Sequence, residues 1–212
     1  MNVPITTVYL DMDDVLVDLH RHSYRHIFPD APDPVIEAMY EATIRFPGIA
    51  PIVETYAGTA YDQEALHRLW ATLGAEFWRT IPWTKHGKAI IEVCAKHVAT
   101  LFMSTPVNEA GCVLGKMAWI NALPADRRRR YALTPCKHHF AHEGALLVDD
   151  NEDNVDRFLS HGGDAMLWPR PWNYVGQLGV TEDEAFDALQ QLVSSRGVIA
   201  PDSTKCYGDE DE

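Results

Sequence analysis

Asp11 and Asp13 stand two residues apart in the stretch Val8-Tyr9-Leu10-Asp11-Met12-Asp13-Asp14-Val15. The run from Val8 to Leu10 is apolar and β-prone, so the pair falls at the end of a predicted strand. Side chains two apart on an extended chain point the same way, and the two carboxylates can converge. Two close carboxylates repel unless a cation or a shared proton relieves them. The spacing therefore predicts a bound metal, or one carboxylate with a raised pKa. One carboxylate could then attack as a nucleophile while the other moves a proton. Taken alone, the stretch would also serve as a solvated acidic turn, and its context must decide.

The elements that follow supply that context. A helix over 86–97 leads to a strand over 98–103 that ends in Ser104-Thr105-Pro106. After a helix near 108–122, a short strand near 130–133 ends in Thr134-Pro135-Cys136-Lys137. A strand over 145–148 runs into Asp149-Asp150, and a helix near 152–160, a strand over 164–168 and a helix near 181–195 close the pattern. Strands alternating with helices imply an α/β fold with a mostly parallel sheet. Ligands of such sheets sit beyond the C-terminal ends of the strands. Asp11/Asp13, Ser104/Thr105, Lys137 and Asp149/Asp150 all fall at such ends. Acidic oxygens beside a hydroxyl and a lysine suit Mg²⁺, which prefers carboxylates, substrate phosphate and retained waters. Asp11 would attack phosphorus, and Asp13 would protonate the leaving oxygen and then activate water. Ser104, neighbouring backbone N–H groups and Lys137 would hold the phosphoryl oxygens and offset charge during transfer.

Residues 19–84 differ in character. They are rich in aromatics and histidines, with helix-like pieces near 34–46 and 62–79, the second with Asp62 as a plausible N-cap. Leu66, Leu69, Trp70 and Leu73 recur at helical spacing and read as core. The segment is expected to be a helical cap inserted over the first loop. That divides the chain into a catalytic core of 1–18 and 85–200, a cap of 19–84, and an acidic, frayed tail of 201–212.

The 212 residues are 46% hydrophobic and carry a formal net charge of −13. The hydrophobic share suffices for a real core, and the charge disfavours stable nucleic-acid or membrane-surface binding. No apolar run reaches membrane-spanning length. Cys94, Cys112, Cys136 and Cys206 show no paired spacing. With a strand expected at once from the N-terminus and no secretory leader, free thiols in a reducing cytoplasm are the expectation.

The segments DMDDV, STP, an isolated Lys137 and LLVDDN, in this order, resemble the motifs of the haloacid dehalogenase (HAD) superfamily of phosphatases. Within it the chain is most similar to the 5'(3')-deoxyribonucleotidases, through DMDDVLVD, EFWRTIPW, STP, GKMAWI, TPCK and the late PWN. The resemblance implies a Rossmann-like core with a small helical cap. It also implies Mg²⁺-dependent removal of phosphate from a small-molecule nucleotide, with deoxynucleoside monophosphates the expected substrates and a homodimer left open. Carried over by position, it makes Asp11 nucleophile and metal ligand, and Asp13 acid/base with its backbone carbonyl on the metal. Ser104 and Thr105 bind phosphate, Lys137 stabilises the phosphoryl group, and Asp149 and Asp150 complete the metal site, with Asp150 favoured as the direct ligand. Lys116, a turn or two into the helix after Ser104-Thr105-Pro106, is a substrate-binding candidate that reaches the phosphate or ribose or is simply exposed. One departure is Asp14, where these enzymes usually carry Gly. The alternatives are a phosphatase for a sugar phosphate or a nucleic-acid 3'-phosphate, or a non-catalytic nucleotide-binding protein.

Other features have plainer readings. Cys136, His138, His139 and His142 invite a zinc site, with His138 and His142 four apart, but the spacing is irregular and an exposed loop is expected. Arg127 to Arg130 reads as a solvated helix end, where cations suit the dipole. Phe28, Trp78 and Trp83 read as cap core, with one or two free to stack on a base. His20, His22 and His26 read as hinge surface or as cap contacts with substrate.

Overall fold

In the computed structural model, which describes residues 3–44, 53, 54, 58, 63–128 and 130–198, β1 (Thr7–Asp11) is the middle strand of a five-stranded sheet. The other strands are β2 (Ala99–Ser104), β3 (Tyr131–Leu133), β4 (Ala145–Asp149) and β5 (Asp164–Leu167). All neighbours are parallel, in the order β3-β2-β1-β4-β5. Register follows the buried apolar residues. Leu10 pairs with Val148 and Asp11 with Met103. Asp11 and Asp149 therefore end their strands at the same level, with Ser104 one residue further along β2. The alternation along β1 is visible in the packing. Val8 and Leu10 enter the main core, while Tyr9 joins Met103, Leu147 and Phe158 in a smaller cluster.

The helices follow in chain order. They are α1 (Leu19–Ile27), α2 (Asp33–Glu41), α3 (Gln63–Thr72), α4 (Ala75–Arg79), α5 (Gly87–His97), α6 (Ala110–Asn121), α7 (Ala125–Arg128), α8 (Glu152–Ser160), α9 (Tyr174–Gln177) and α10 (Glu182–Arg196). The helix expected over 62–79 is broken into α3 and α4, because Gly74 adopts extended backbone at the N-cap of α4. The short α9, capped by the Asn173 side chain on the Gly176 N–H, has no helical periodicity in the sequence and was not anticipated. His138 and His142 do not share a helix face. A 3₁₀ turn spans Lys137–Phe140 and ends before His142. Asp62, Phe46, Tyr56, Tyr61, Arg129, Cys206 and the tail lie outside the described residues. No helix among the described residues is long and apolar enough to cross a membrane.

The segment after β1 closes on itself before it enters the helices. The Leu16 and Val17 N–H groups donate to Met12 O, both at 2.9 Å, and Asp14 N donates to Val17 O at 2.6 Å. Val17 then bridges Trp83 in antiparallel fashion, Asp18 N donates to Pro82 O at 2.9 Å, and Thr84 N donates to Leu16 O at 2.9 Å. The chain thus leaves for the helical insert and returns from it at one place, beside the end of β1.

A second attachment ties the insert to the sheet domain. A Cβ on Gly115 of α6 would lie 2.4 Å from both Ala75 O and the Trp78 Cβ of α4, and one on Gly111 would lie 3.0 Å from Leu73 O. Two glycines four apart let the helices touch backbone to backbone. Gly115→Val forces them apart, and overpacking of this kind costs about 1–3 kcal/mol. The expected result is a lower denaturation midpoint with an unchanged far-ultraviolet circular dichroism spectrum. An unchanged midpoint would mean that this contact does not hold the two parts together.

Candidate active site

The strand ends deliver an acidic cluster. Asp11, Asp149 and Asp150 are 6%, 0% and 5% exposed, and each offers a carboxylate oxygen within 4.8 Å of the others. It is the one such group of metal-ligand type among the described residues; the histidines near Cys136 do not form one. Burial pushes the Asp11 carboxyl well above the usual carboxylate range, and Asp149, Asp13 and Asp150 push the same way against Lys137. Burial raises Asp150 as well, reinforced by Asp14 and Asp149 and opposed by the Trp172 hydrogen bond. Three carboxylates gathered out of water, and reluctant to ionise because they are buried beside one another, form a donor set that a hard divalent cation fits.

Lys137 supplies the cation that the fold itself provides. Its Nζ lies 2.6 Å from Asp11 Oδ1 and 2.6 Å from Asp149 Oδ2, with the residue 2% exposed. Burial would lower its pKa, but Asp11 and Asp149 more than offset this and hold the ammonium above its usual range. The remaining capacity of Asp149 is taken by the Asn151 N–H at 3.0 Å and the Asn154 side-chain amide at 3.2 Å. Asp150 is less committed. Its Oδ2 accepts from Trp172 Nε1 at 2.9 Å, and its backbone carbonyl accepts from Asn173 Nδ2 at 2.9 Å. Asp150 lines the cavity described below, whereas Asp149 does not.

A second lysine works beside the first. Lys116, on α6, is 1% exposed, and its Nζ donates to Asp13 Oδ2 and, at 2.7 Å, to Ser104 Oγ. The helix that follows β2 thus places a cation between a hydroxyl and the second aspartate of the first loop. Ser104 is fully enclosed, while Thr105 is exposed on the cavity and donates its hydroxyl to Thr134 O at 3.1 Å. Asp13 keeps one carboxylate oxygen, Oδ1, without a hydrogen-bond partner among the described residues.

Asp14 takes the left-handed conformation, at φ 57°, and is the one described non-glycine residue to do so. That conformation is free to glycine and tolerated by aspartate, whose short side chain bonds locally. Here Oδ1 accepts from the His20 backbone N–H at 3.2 Å and Oδ2 contacts the His20 ring at Nδ1. Its carbonyl accepts from Arg170 Nε, and Arg170 also pairs with Glu182 at 2.6 Å. The His20 ring stacks on Trp172 at 4.0 Å between centroids. Arg170, Trp172, Asn173 and Asn154 are not among the site residues that the sequence points to. Their signal was faint: a late Pro-Trp-Asn, and an asparagine in the first turn of a helix.

These groups surround a cavity of about 630 Å³. It is lined by the polar residues Asp11, Asp13, Asp14, Lys137, Asp150, Asn151 and Asn154 and by the apolar residues Leu19, Leu66, Trp70, Trp78 and Val107. The polar residues come from the sheet edge, and most of the apolar ones from the insert. Cys94, Cys112 and Cys136 carry no disulfide.

No protein-family model matches the chain, and no curated protein does. Solved structures resemble it. A HAD-hydrolase, YfnB from Bacillus subtilis bound to magnesium, superposes with a TM-score of 0.55 at 12% identity, covering 90% of this chain and 99% of that one. A HAD family hydrolase from Deinococcus radiodurans R1 with bound phosphate and sodium gives 0.50 at 14%, covering 94% and 100%. A haloacid dehalogenase-like family hydrolase from Xanthomonas campestris gives 0.50 at 13%, covering 92% and 94%. At such identities the likeness is one of architecture, and the chain has the fold of the HAD-like hydrolases.

Proposed function

We propose that this protein is a Mg²⁺-dependent phosphomonoester hydrolase acting through an aspartyl-phosphate on Asp11, with deoxynucleoside 5'-monophosphates as its substrates. The observation that carries the reading is the convergence of Asp11, Asp149, Asp150 and Lys137 beside a cavity that apolar and aromatic side chains also line. Phosphate bound to one structure of the same fold, and magnesium to another, support the same chemistry.

Asp11, Asp150 and the Asp13 backbone carbonyl would hold the metal, with Asp149 behind them fixing Lys137. When bound, Mg²⁺ neutralises the carboxylates and offsets phosphoryl charge. The chain's own groups do the rest. Lys137 and Lys116 add positive charge beside the phosphoryl oxygens, and Thr105 and the N–H groups after β2 orient them. Asp11 Oδ attacks phosphorus while the ester oxygen departs with a proton from Asp13. Asp13, again ionised and held by Lys116, then takes a proton from the water that opens the aspartyl-phosphate, releasing inorganic phosphate. The ring-lined wall, with Trp70 and Trp78, suits the planar face of a nucleobase, because aromatic stacking accepts any base. At about 630 Å³ the cavity has room for a nucleoside monophosphate.

The test is phosphate release from a panel of ribo- and deoxynucleoside 5'- and 3'-monophosphates, a sugar phosphate, an aryl phosphate and a 3'-phosphorylated oligonucleotide, with Mg²⁺ or with EDTA. Selective release from deoxynucleoside 5'-monophosphates, lost with EDTA, is expected. Turnover of the sugar phosphate or oligonucleotide alone would overturn the nucleotide assignment, and binding of nucleotide without release would overturn the catalytic one. Asp11→Asn should abolish turnover, by at least about 10³-fold, with the fold retained. Residual activity near wild type would remove Asp11 as nucleophile.

Metal binding carries its own pH signature. Folding raises the Asp11 and Asp150 pKa values, so the folded state binds more protons than the unfolded one between the ordinary carboxylate range and the raised values. Metal-free stability from these groups therefore falls as pH rises through that window. A divalent cation favours the ionised forms and reverses the loss. The increase in melting temperature on adding Mg²⁺ should thus be larger at pH 8 than at pH 5. A pH-independent increase would place the cation elsewhere.

A further inference from the structure

The three carboxylates of the cluster are not equally free. Asp149 has both oxygens committed. Its Oδ2 accepts from Lys137 Nζ at 2.6 Å and from Asn154 Nδ2 at 3.2 Å, and its Oδ1 accepts from the Asn151 N–H at 3.0 Å and from the same amide at 3.2 Å. Asp11 and Asp150 each have one committed oxygen. Lys137 Nζ lies 2.6 Å from Asp11 Oδ1, and Trp172 Nε1 donates to Asp150 Oδ2 at 2.9 Å. The second oxygens, Asp11 Oδ2 and Asp150 Oδ1, have no hydrogen-bond partner among the described residues. Both residues line the cavity, and neither of these oxygens is enclosed. An incoming cation thus meets one open oxygen from each of two carboxylates.

The Asp150 half of this arrangement depends on a residue remote in the chain. Trp172 lies between β5 and α9 and is 4% exposed. Its ring stacks on His20 at 4.0 Å between centroids and makes a T-shaped contact with Tyr40 at 5.7 Å. Asn173, the next residue, is held on every side. Its Nδ2 donates to Asp150 O at 2.9 Å and to Trp168 O at 2.8 Å, and its Oδ1 accepts from the Arg170 and Gly176 N–H groups at 3.2 and 3.0 Å. The indole is therefore packed in place. An indole N–H only donates, so it engages one carboxylate oxygen and leaves the other. Trp172 does not line the cavity, and its route to the site runs through Asp150.

We infer that Trp172 is a positioning residue that selects the cation: by holding Asp150 Oδ2 it confines Asp150 to a single coordinating oxygen and favours Mg²⁺ over Ca²⁺. The inference rests on the metal-dependent reading above and deepens it. Mg²⁺ demands a compact octahedral shell and keeps several waters, so single carboxylate oxygens suit it. Ca²⁺ takes a larger and more flexible shell and readily uses both oxygens of one carboxylate. With Asp149 committed and Asp150 Oδ2 taken, the cluster denies calcium that second oxygen. The charge of the cluster cannot make the distinction, since both ions are divalent.

The experiment titrates the metal-free full chain with Mg²⁺ and with Ca²⁺ and follows the indole and backbone N–H resonances by ¹H–¹⁵N NMR. Wild-type protein should bind Mg²⁺ more tightly than Ca²⁺. Trp172→Phe keeps a ring against His20 and Tyr40 and removes the donor. The ratio of the two dissociation constants should then move about tenfold toward calcium, within the range that partners behind a metal ligand command. A merely structural role would weaken both cations alike. An unchanged ratio therefore overturns the inference, as does a wild type without preference for Mg²⁺. Should Trp172→Phe fail to fold, the wild type still decides. Its Trp172 indole N–H, identified by proximity to the His20 ring, should exchange with deuterium no faster in Mg²⁺-saturated protein than in metal-free protein. Faster exchange would mean that Asp150 gives Oδ2 to the metal, and the inference fails. Phosphate release separates the two readings. An unchanged ratio beside Mg²⁺-dependent release removes the role of Trp172 and keeps the hydrolase. A shifted ratio in a protein whose wild type releases phosphate from no ester keeps the role of Trp172 and removes the hydrolase.

Discussion

Lys137 makes the acidic cluster tolerable. Buried carboxylates whose oxygens lie within 4.8 Å of one another cannot all ionise without a counter-charge, and the ammonium between Asp11 and Asp149 supplies one from within the chain. Burial, with the neighbouring carboxylates adding to it, still leaves Asp11 and Asp150 harder to ionise than free carboxylates. Much of the surrounding structure serves this balance. Asn151 and Asn154 hold Asp149, Trp172 and Asn173 hold Asp150, and Lys116 holds one oxygen of Asp13. A cluster whose members are each pinned by a different element must be rigid, and rigidity keeps its repulsion available to a cation.

The sheet determines where this happens. Parallel strands in register end together, so polar residues placed just after apolar runs meet without any contact between them along the sequence. The insert then supplies what the sheet edge lacks, an apolar wall. Leu66, Trp70 and Trp78 come from α3 and α4, and they line the same cavity as carboxylates from the ends of β1 and β4. Charge and hydrophobic surface are thus divided between the two parts of the chain.

The core fold and most of the charged groups were legible in the sequence because they obey local rules. The runs before Asp11, Ser104, Lys137 and Asp149 are apolar with β-branched or aromatic residues, and helical spacing separates them. Less was legible where local rules are weak. Gly74 breaks a helix that periodicity alone would continue. Lys116 gave no sign of whether it faced solvent or the site; its destination depends on how closely α6 meets α4, a matter of tertiary packing. Asp14 stands where the enzymes it resembles usually carry Gly, and nothing next to it in the sequence names a partner for its charge. Its carboxylate is instead absorbed by His20, six residues on, a pairing visible only once α1 is seen to start back across the loop. Trp172 and Arg170 reach the site from the far end of the chain, and no spacing rule connects them to it.

The glycine contact between α4 and α6 has a geometric consequence. Trp78 and Lys116 belong to these two helices, which touch at Gly115 without intervening side chains. The Trp78 ring and the Lys116 ammonium lie side by side across that contact, 5.4 Å apart. Backbone against backbone yields far less than packed side chains do. The insert therefore cannot slide along α6 without disturbing the ammonium that Asp13 and Ser104 share.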